Sequence, residues 1–133
     1  MQTQHSQFEA GELRIEVNVA PEGVRLDWTG RSAEREPGKL LAPFFGDTLL
    51  QATTASAAVE MHFENLQHLN SSTINALIHF LRLAREAGVA VTLVFDPGLK
   101  WQLLSFEALR VFELPDGLMK LRPAGDGVPG SRL

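Results

Sequence analysis

The sequence predicts a mixed α/β domain that combines an antiparallel hairpin with a parallel strand–helix–strand unit. Apolar and polar residues alternate over residues 12–19 and again over residues 24–28, with a Pro-Glu-Gly turn between them. Alternation is typical of half-buried strands, and the turn joins the two into a hairpin. An alternating segment, a helical segment and an apolar segment then follow over residues 59–95. This order predicts two parallel strands joined by a right-handed crossover.

The composition restricts the class of protein. A chain of 133 residues with 44% hydrophobic content can bury one core of ordinary size. Because the chain has no cysteine, it has no disulfide, thiolate nucleophile or cysteine zinc site. There is no apolar run of the roughly 18 to 20 residues that a bilayer requires. Residues 1–5 have neither a basic region nor an apolar region of the kind found in export signals, so we expect that the protein is not exported. These features together predict a cytoplasmic protein without a membrane partner, and the net charge of −4 argues against nucleic-acid binding.

The region between the hairpin and the parallel unit predicts a loop and then a helix. Residues 30–38 are polar and aperiodic, which indicates an exposed loop from which Arg31 and Arg35 either contact a partner or are simply solvated. Leucines and phenylalanines at helical spacing follow this loop. Because proline is tolerated in the first turn of a helix, Pro43 places the helix start near Ala42.

Residues 59–66 predict a third strand whose polar face carries Glu60, His62 and Glu64. Alternate residues of a strand share a face, so this row could present metal ligands. A metal site also needs ligands from elsewhere in the chain, and none can be identified. We therefore expect an exposed strand face, with no metal and no cofactor.

The rest of the chain predicts two helices separated by a buried strand. The helix predicted over residues 72–87 ends at Gly88, a natural C-cap, and residues 89–95 are apolar enough for a central strand. Residues 99–105 begin another helix, and residues 109–114 either close it or form an edge strand. A last packed segment contains Leu118, Met119 and Leu121.

The predicted domain covers residues 11–122. Residues 1–10 lack a pattern, and residues 123–133 are rich in glycine and proline. We expect both termini to be flexible.

The candidate functional site is the segment Leu69-Asn70-Ser71-Ser72-Thr73, which lies between a predicted strand and a predicted helix. Side chains of Asn, Ser and Thr accept hydrogen bonds from the first backbone N–H groups of a helix. The same N–H groups and the helix dipole attract negative charge, so the backbone could receive a phosphate carried by one of the serines. The alternative is that these residues only cap the helix.

Motifs of common catalytic sites are missing from the sequence. It contains no Gly-rich P-loop, no Gly-x-Ser-x-Gly turn and no His-Glu-x-x-His motif. Ser71 and His68 are close in sequence, but no third orienting group and no oxyanion site accompany them. We expect a protein that is not an enzyme, with a hydrolase that uses Ser71 as a weaker alternative.

The passage Val-Glu-Met-His-Phe-Glu-Asn-Leu-Gln-His-Leu-Asn-Ser-Ser-Thr-Ile-Asn-Ala-Leu-Ile, residues 59–78, resembles the STAS family, the domain of anti-sigma-factor antagonists. In that family a strand leads to an Asp-Ser-Ser-Gly-like motif, then to a glycine-terminated helix, an apolar strand and a proline-led helix. Gly88, residues 89–95 and Pro97 match this order, and the likeness covers about residues 11–115. The resemblance implies a STAS-like fold, with a small mixed sheet of four to five strands and helices mainly on one face.

The resemblance also implies a role in partner switching. In that scheme a serine kinase of the histidine-kinase-like ATPase fold phosphorylates the serine that follows the motif aspartate. The unphosphorylated protein occupies the kinase or an anti-sigma factor, the phosphorylated protein releases it, and a PP2C-like phosphatase resets the switch. Ser71 matches the acceptor, but Asn70 replaces the aspartate and Thr73 replaces the glycine. The acceptor could therefore have moved to Ser72 or Thr73, or phosphorylation could have been lost.

We expect Ser71 to be the acceptor and the surface around it to bind the partner. The expected partner-binding residues are Asn70, Ser71, Ser72, Thr73, Ile74, Arg31 and Arg35. A phosphorylation-independent STAS-like scaffold, or a module that senses a small ligand, is the alternative.

Overall fold

The computed structural model describes residues 4–33 and 37–125. Within these ranges the chain forms seven strands, three α-helices and one short 3-10 helix. In chain order they are β1 (Gln4–Ala10), β2 (Leu13–Ala20), β3 (Gly23–Ser32), α1 (Pro37–Ala55), β4 (Val59–His62), β5 (Leu66–Leu69), α2 (Ser71–Glu86), β6 (Val91–Phe95), α3 (Lys100–Ala108), the 3-10 helix (Leu109–Phe112) and β7 (Met119–Pro123).

The strands form one mixed sheet in the order β1-β2-β3-β4-β6-β7, with β5 beside β3. Strands β1, β2 and β3 are antiparallel neighbours, whereas β3, β4, β6 and β7 run parallel to one another. The antiparallel hairpin and the parallel β4–β6 pair confirm the predicted architecture, and the fold is a STAS-like α/β fold.

The sheet has seven strands rather than the four or five expected, and one reason is that residues 59–66 are not one strand. The Leu66 N–H donates to the Phe63 carbonyl at 2.9 Å, which closes a turn between β4 and β5. Strand β4 pairs with residues 24–27 of β3 and β5 with residues 30–32, and the register between β3 and β5 shifts between Gly30 and Arg31. A register shift of this kind depends on a distant strand and leaves no periodic signal.

The N-terminal segment also differs from the expectation of a flexible terminus, since Gln4–Ala10 is an edge strand paired along its length with β2. Its side chains are mostly exposed, which is why alternation does not reveal it. Phe8 stacks on Phe44 of α1 with 4.5 Å between ring centroids and fixes the strand to the helical layer.

Helix α1 begins at Pro37, not near Ala42, and the predicted loop over residues 30–38 is shorter than expected because β3 continues to Ser32. Residues 34–36 lie outside the described part of the chain. Pro43 therefore sits inside the helix, where a missing N–H and steric conflict cost about 3 kcal/mol. Burial of Leu41 and Phe45, each worth about 2 to 3 kcal/mol, offsets that cost.

The core lies on one face of the sheet, beneath the three helices. Trp28 of β3 packs on Phe63 with 4.9 Å between ring centroids, and Phe63 packs on Phe106 of α3 at 4.8 Å. Phe45 of α1 contacts Phe80 of α2 at 4.9 Å and also packs on Trp28. All three helices thus cover the same face, as expected.

The C-terminal half follows the predicted order closely. The C-cap of α2 is Ala87 rather than the predicted Gly88, which follows it with φ +74°, and the central strand β6 lies between β4 and β7. Residues 109–112 continue α3 as a 3-10 turn, and the last packed segment is the edge strand β7. Residues 126–133, most of the predicted C-terminal tail, lie outside the described residues. Within the described ranges, no helix is long and apolar enough to cross a bilayer.

Candidate functional site

Asn70 is the N-cap of α2 and holds the first turn of the helix at two points. Its extended backbone leaves the side-chain Oδ1 to accept the Thr73 N–H at 2.9 Å. Its carbonyl oxygen accepts the Ile74 N–H at 3.0 Å. The structure confirms the predicted cap, and an amide oxygen serves as well as a carboxylate would at this position.

Thr73 fastens the start of α2 to the end of β3. The Thr73 and Ser32 hydroxyls share a hydrogen bond, and both side chains are fully buried. The Asn70 N–H also donates to the Ser32 carbonyl at 3.3 Å. A hydroxyl held in this way is closed to a kinase, so Thr73 could accept a phosphoryl group only if the helix end opened. Sequence reasoning missed Ser32, since nothing local marks its pairing with a residue far along the chain.

Ser71 and Ser72 are the exposed members of the cluster, at the first and second positions of α2. The first N–H groups of a helix have no acceptor within the helix. A phosphate on either side chain would therefore meet backbone N–H groups and the positive end of the helix dipole.

Ser72 differs from Ser71 because it also lines a groove between α1 and α2. The groove has a volume of about 370 Å³ and an apolar lining. Its walls include Ala42 and Gly46 of α1 and Ala76 and Leu83 of α2.

Arg31 lies beside the cluster, whereas Arg35 lies outside the described residues. Arg31 is exposed near the end of β3 and is the register partner of His68 in β5. The His68 ring lies 6.5 Å from the Trp101 ring of α3. Ile74, the remaining predicted contact residue, is half-buried and packs against the core. Arg31 therefore precedes Ser32, the residue of β3 that contacts Asn70 and Thr73.

Gln102 of α3 supports the loop that leads to the site, although it carries no signal in the sequence. Its amide nitrogen donates to the Phe63 carbonyl at 2.6 Å and to the Leu66 carbonyl at 3.2 Å. Its amide oxygen accepts the Asp96 N–H at 2.8 Å. The side chain is fully buried, and its one amide binds three backbone groups from two segments, the turn at Phe63 and Leu66 and the end of β6 at Asp96.

The row Glu60, His62 and Glu64 lies on the polar face of the sheet, but His62 is buried rather than exposed. His62 Nε2 lies 2.5 Å from Glu60, and Nδ1 lies 3.2 Å from Glu64. The carboxylates occupy opposite sides of the ring and do not converge on one point. Among residues 4–33 and 37–125, no group of side chains is arranged to hold a metal ion.

The pKa of Glu60 is lower than its usual value. Burial alone would raise this pKa, but the hydrogen bond with His62 and the charge of Arg122 outweigh that effect. The row is therefore an ionic network of the sheet.

Comparison with known proteins finds a likeness in fold. Neither a protein-family model nor a curated protein sequence matches the chain. A solved structure that is similar is the crystal structure of the diguanylate cyclase SiaD in complex with its activator SiaC from Pseudomonas aeruginosa. The matched chain is SiaC, with a TM-score of 0.60 and 18% sequence identity, over 89% of this chain and 98% of that one.

Proposed function

We propose that this protein is a non-enzymatic regulator that binds a protein partner through the exposed start of α2, and that phosphorylation of Ser71 ends the binding. The observation that carries the proposal is the placement of Ser71. It is exposed at the first position of a helix whose start is fixed by the Asn70 cap and by the buried Thr73–Ser32 contact. The start of α2 is held rigidly while the Ser71 hydroxyl remains accessible. One charge added to this hydroxyl can therefore change the affinity for a partner without changing the fold.

The fold likeness supports a partner-binding role. SiaC, a protein of similar fold, is the activator of the enzyme with which it was crystallised. By extension, and in line with the STAS resemblance, the proposed partners are a serine kinase of the histidine-kinase-like ATPase fold or an anti-sigma factor. A PP2C-like phosphatase would reverse the modification. We place this exchange in the cytoplasm.

The proposed modification transfers one phosphoryl group. The Ser71 Oγ forms a bond to the γ-phosphorus of ATP, the bond between that phosphorus and ADP breaks, and the hydroxyl proton passes to a base of the kinase. The phosphatase uses water to return the hydroxyl and release inorganic phosphate. Phosphoserine carries a charge of about −1.5 to −2 at pH 7, which disrupts an apolar or acidic interface through desolvation and repulsion.

The test is recovery of partners from the native host by tagged variants, with identification by mass spectrometry. We expect Ser71→Ala to retain the partner that the wild-type protein binds and Ser71→Asp to lose most of it, by about tenfold or more, because a fixed charge mimics the phosphate. Thr54→Asp is the matched control, since it adds the same charge at an exposed position of α1. Equal recovery by both Ser71 variants would exclude the switch and leave only the docking role.

Ser72→Asp tests the other exposed acceptor in the same experiment. If it releases the partner while Ser71→Asp does not, the acceptor is Ser72. Mass spectrometry of the protein purified from its host would then locate the phosphate within residues 70–74.

The second candidate function is a STAS-like scaffold or small-ligand sensor that works without phosphorylation. Asn70 in place of aspartate and the apolar groove beside Ser72 favour it. Consistent absence of phosphopeptides covering residues 70–74 across growth conditions would support this reading. The weaker alternative, a hydrolase, predicts that Ser71 reacts with a fluorophosphonate probe. A protein that does not react with the probe would exclude the hydrolase.

A further inference from the structure

We propose that two copies of this chain pair through their β1 strands, in an antiparallel contact with two-fold symmetry that joins their sheets into one. The proposal concerns the outer edge of the sheet rather than the start of α2, and it does not rest on the proposed function. The occupant of the edge is a second copy because the edge is complementary to itself.

The first observation is that β1 is an open edge, whereas the opposite edge of the sheet is protected. Strand β7 contains a lysine, an arginine and a proline, and its Leu121 N–H donates to the Glu113 carboxylate at 2.6 Å. Such features prevent edge strands from pairing with other chains. Strand β1 has seven residues in regular register with β2, without lysine, arginine, proline or a bulge, and no described strand lies beyond it. Of the two edges, β1 is therefore the one that can accept another strand.

The second observation is that β1 presents free backbone groups at alternate residues. Ala10 and Leu13 are register partners on either side of a two-residue turn, and residues that flank such a turn form a hydrogen-bonded pair. Hydrogen-bonded and non-hydrogen-bonded pairs alternate from there along the two strands. His5, Gln7 and Glu9 therefore belong to the non-hydrogen-bonded pairs, and their N–H and C=O groups point away from β2.

The pairing of β2 with β3 agrees with this assignment. Ala20 and Gly23 flank the turn between those strands, so the even-numbered residues of β2 form hydrogen bonds with β3. The odd-numbered residues of β2 are thus left to pair with β1, and their register partners are the even-numbered residues of β1. The odd-numbered residues of β1 have no strand to bond with inside the described part of the chain.

The third observation is the register that a two-fold contact would adopt. The antiparallel register that pairs all seven residues places Gln7 opposite Gln7 of the second copy, and it sets the free backbone groups of the two strands against each other. The same register places His5 opposite Glu9 of the second copy, and symmetry repeats this pair. Directly opposite residues share a face of the sheet, and an imidazole and a carboxylate attract each other there. A register shifted by two residues would lose both pairs, so the charge pattern of β1 favours the fully paired register.

The fourth observation is an apolar groove on the helical side of this edge. Phe8 stacks on Phe44 of α1, and the groove between β1 and α1 has a volume of about 330 Å³. Its walls include Pro43 and Leu40, and Leu40 is 43% exposed. A two-fold axis perpendicular to the sheet would place both helical layers on the same face, with the two grooves on either side of the axis. Pairing would therefore remove apolar surface from water in addition to forming backbone hydrogen bonds.

The first experiment measures the mass of the full-length protein by sedimentation velocity over a range of concentrations at pH 7, with amide hydrogen exchange measured by NMR at both ends of the range. We expect a species of twice the mass of the 14.6 kDa chain at high concentration. The His5, Gln7 and Glu9 amides should exchange slowly only in that species, whereas the Ser6 and Phe8 amides, which bond to β2, should be protected at both concentrations.

Three results of this experiment would overturn the proposal. The first is a protein that stays monomeric up to about 1 mM, the range of the weakest specific complexes. The second is a dimer in which the amides of the odd-numbered β1 residues exchange as fast as in the monomer, because another surface would then form the contact. The third is growth beyond the dimer, which would indicate that β1 pairs with β7 of the next copy in an open-ended array.

The second experiment changes the charges that face each other across the proposed contact. His5→Glu and Glu9→Lys each place groups of like charge opposite one another twice, or remove the attraction, and each should weaken dimerisation about tenfold. A mixture of the two variants should recover a dimer that contains one chain of each, because the new carboxylate at position 5 then faces the new ammonium group at position 9. Native mass spectrometry distinguishes this mixed dimer from the two homodimers.

The mixture separates a broken contact from a damaged fold, since two misfolded variants would not restore each other. His68→Glu is the matched control, because it makes the same substitution at an exposed position of β5, which pairs with β3 rather than with β1. This control should dimerise like the wild-type protein. Absence of the mixed dimer, or equal weakening by His68→Glu and His5→Glu, would overturn the proposed register.

Discussion

At the scale of single residues, the site depends on one amide side chain that does two tasks. Asn70 caps α2 through the Thr73 N–H, and it also precedes the exposed Ser71 that we propose as acceptor. An aspartate could cap equally well but would place a second negative charge beside a phosphate. Asparagine thus keeps the cap and leaves the neighbouring serine free of that repulsion.

We expect Asn70→Ala to lower the free energy of unfolding by about 1 kcal/mol, because the Thr73 N–H loses its acceptor. Asn70→Asp should retain the stability of the wild-type protein or gain up to about 1 kcal/mol, since a carboxylate caps and also complements the helix dipole. Urea unfolding followed by circular dichroism measures both. An unchanged midpoint in Asn70→Ala would show that the cap hydrogen bond does not stabilise the helix.

At the scale of elements, the position of α2 depends on contacts with β3 and on the turn between β4 and β5, which α3 holds in place. Ser32 and Thr73 join β3 to α2, and Gln102 joins α3 to the turns at Phe63 and Asp96. These bonds are buried, so they are strong in context and costly to break. They hold the start of α2, which carries the exposed Ser71 and Ser72, in a fixed position.

We expect Gln102→Leu to destabilise the protein by more than about 3 kcal/mol, because three backbone groups each lose a hydrogen bond to the Gln102 amide. Hydrogen exchange of the β5 amides (Leu66–Leu69) should also become faster, since the turn between β4 and β5 loses its hydrogen bonds to Gln102. Leu104→Ala, at an exposed position of the same helix, should change stability by less than about 0.5 kcal/mol. A loss in Gln102→Leu no larger than in this control would contradict the anchoring role.

At the scale of the whole molecule, the two faces of the sheet stabilise the fold by different interactions. One face packs against the helices and supplies the hydrophobic core, while the other carries the ionic network around His62. Glu60 is the centre of that network, since it contacts His62 on its own strand and Arg122 on β7. The network links β4 to the edge strand β7.

The lowered pKa of Glu60 predicts acid sensitivity. Because its pKa is lower in the folded state than in the unfolded state, ionised Glu60 stabilises the protein above the unfolded value of about 4.3. This contribution is lost as the pH falls through the folded pKa. We therefore expect wild type to be more stable than Glu60→Gln at pH 7, with a difference that shrinks towards pH 3.

Urea unfolding of the two proteins at a series of pH values checks this expectation. Glu86→Gln is the control, because Glu86 is an exposed carboxylate with no ion pair in the described part of the chain. A gap between wild type and Glu60→Gln that stays constant with pH would contradict the role given to ionised Glu60.

The amino-acid sequence by itself determined the features that depend on neighbours along the chain. Alternation located β2 and β3, helical spacing and Gly88 located α2, and the polar cluster located its cap at Asn70. Side-chain periodicity and helix capping involve residues only a few positions apart, so both can be recognised in the amino-acid sequence. The exposure expected for Ser71 follows from the same local pattern.

Only the tertiary structure decided the features that join distant segments. It added β1 to the sheet, divided residues 59–66 into β4 and β5, and placed the start of α1 at Pro37, six residues before Pro43. It also buried Thr73 against Ser32 and brought Arg31 beside His68. The physical reason is that each of these features is stabilised by contacts between residues far apart in the chain. The free energy of these contacts outweighs or adds to the local conformational preference. The local sequence pattern therefore does not reveal them.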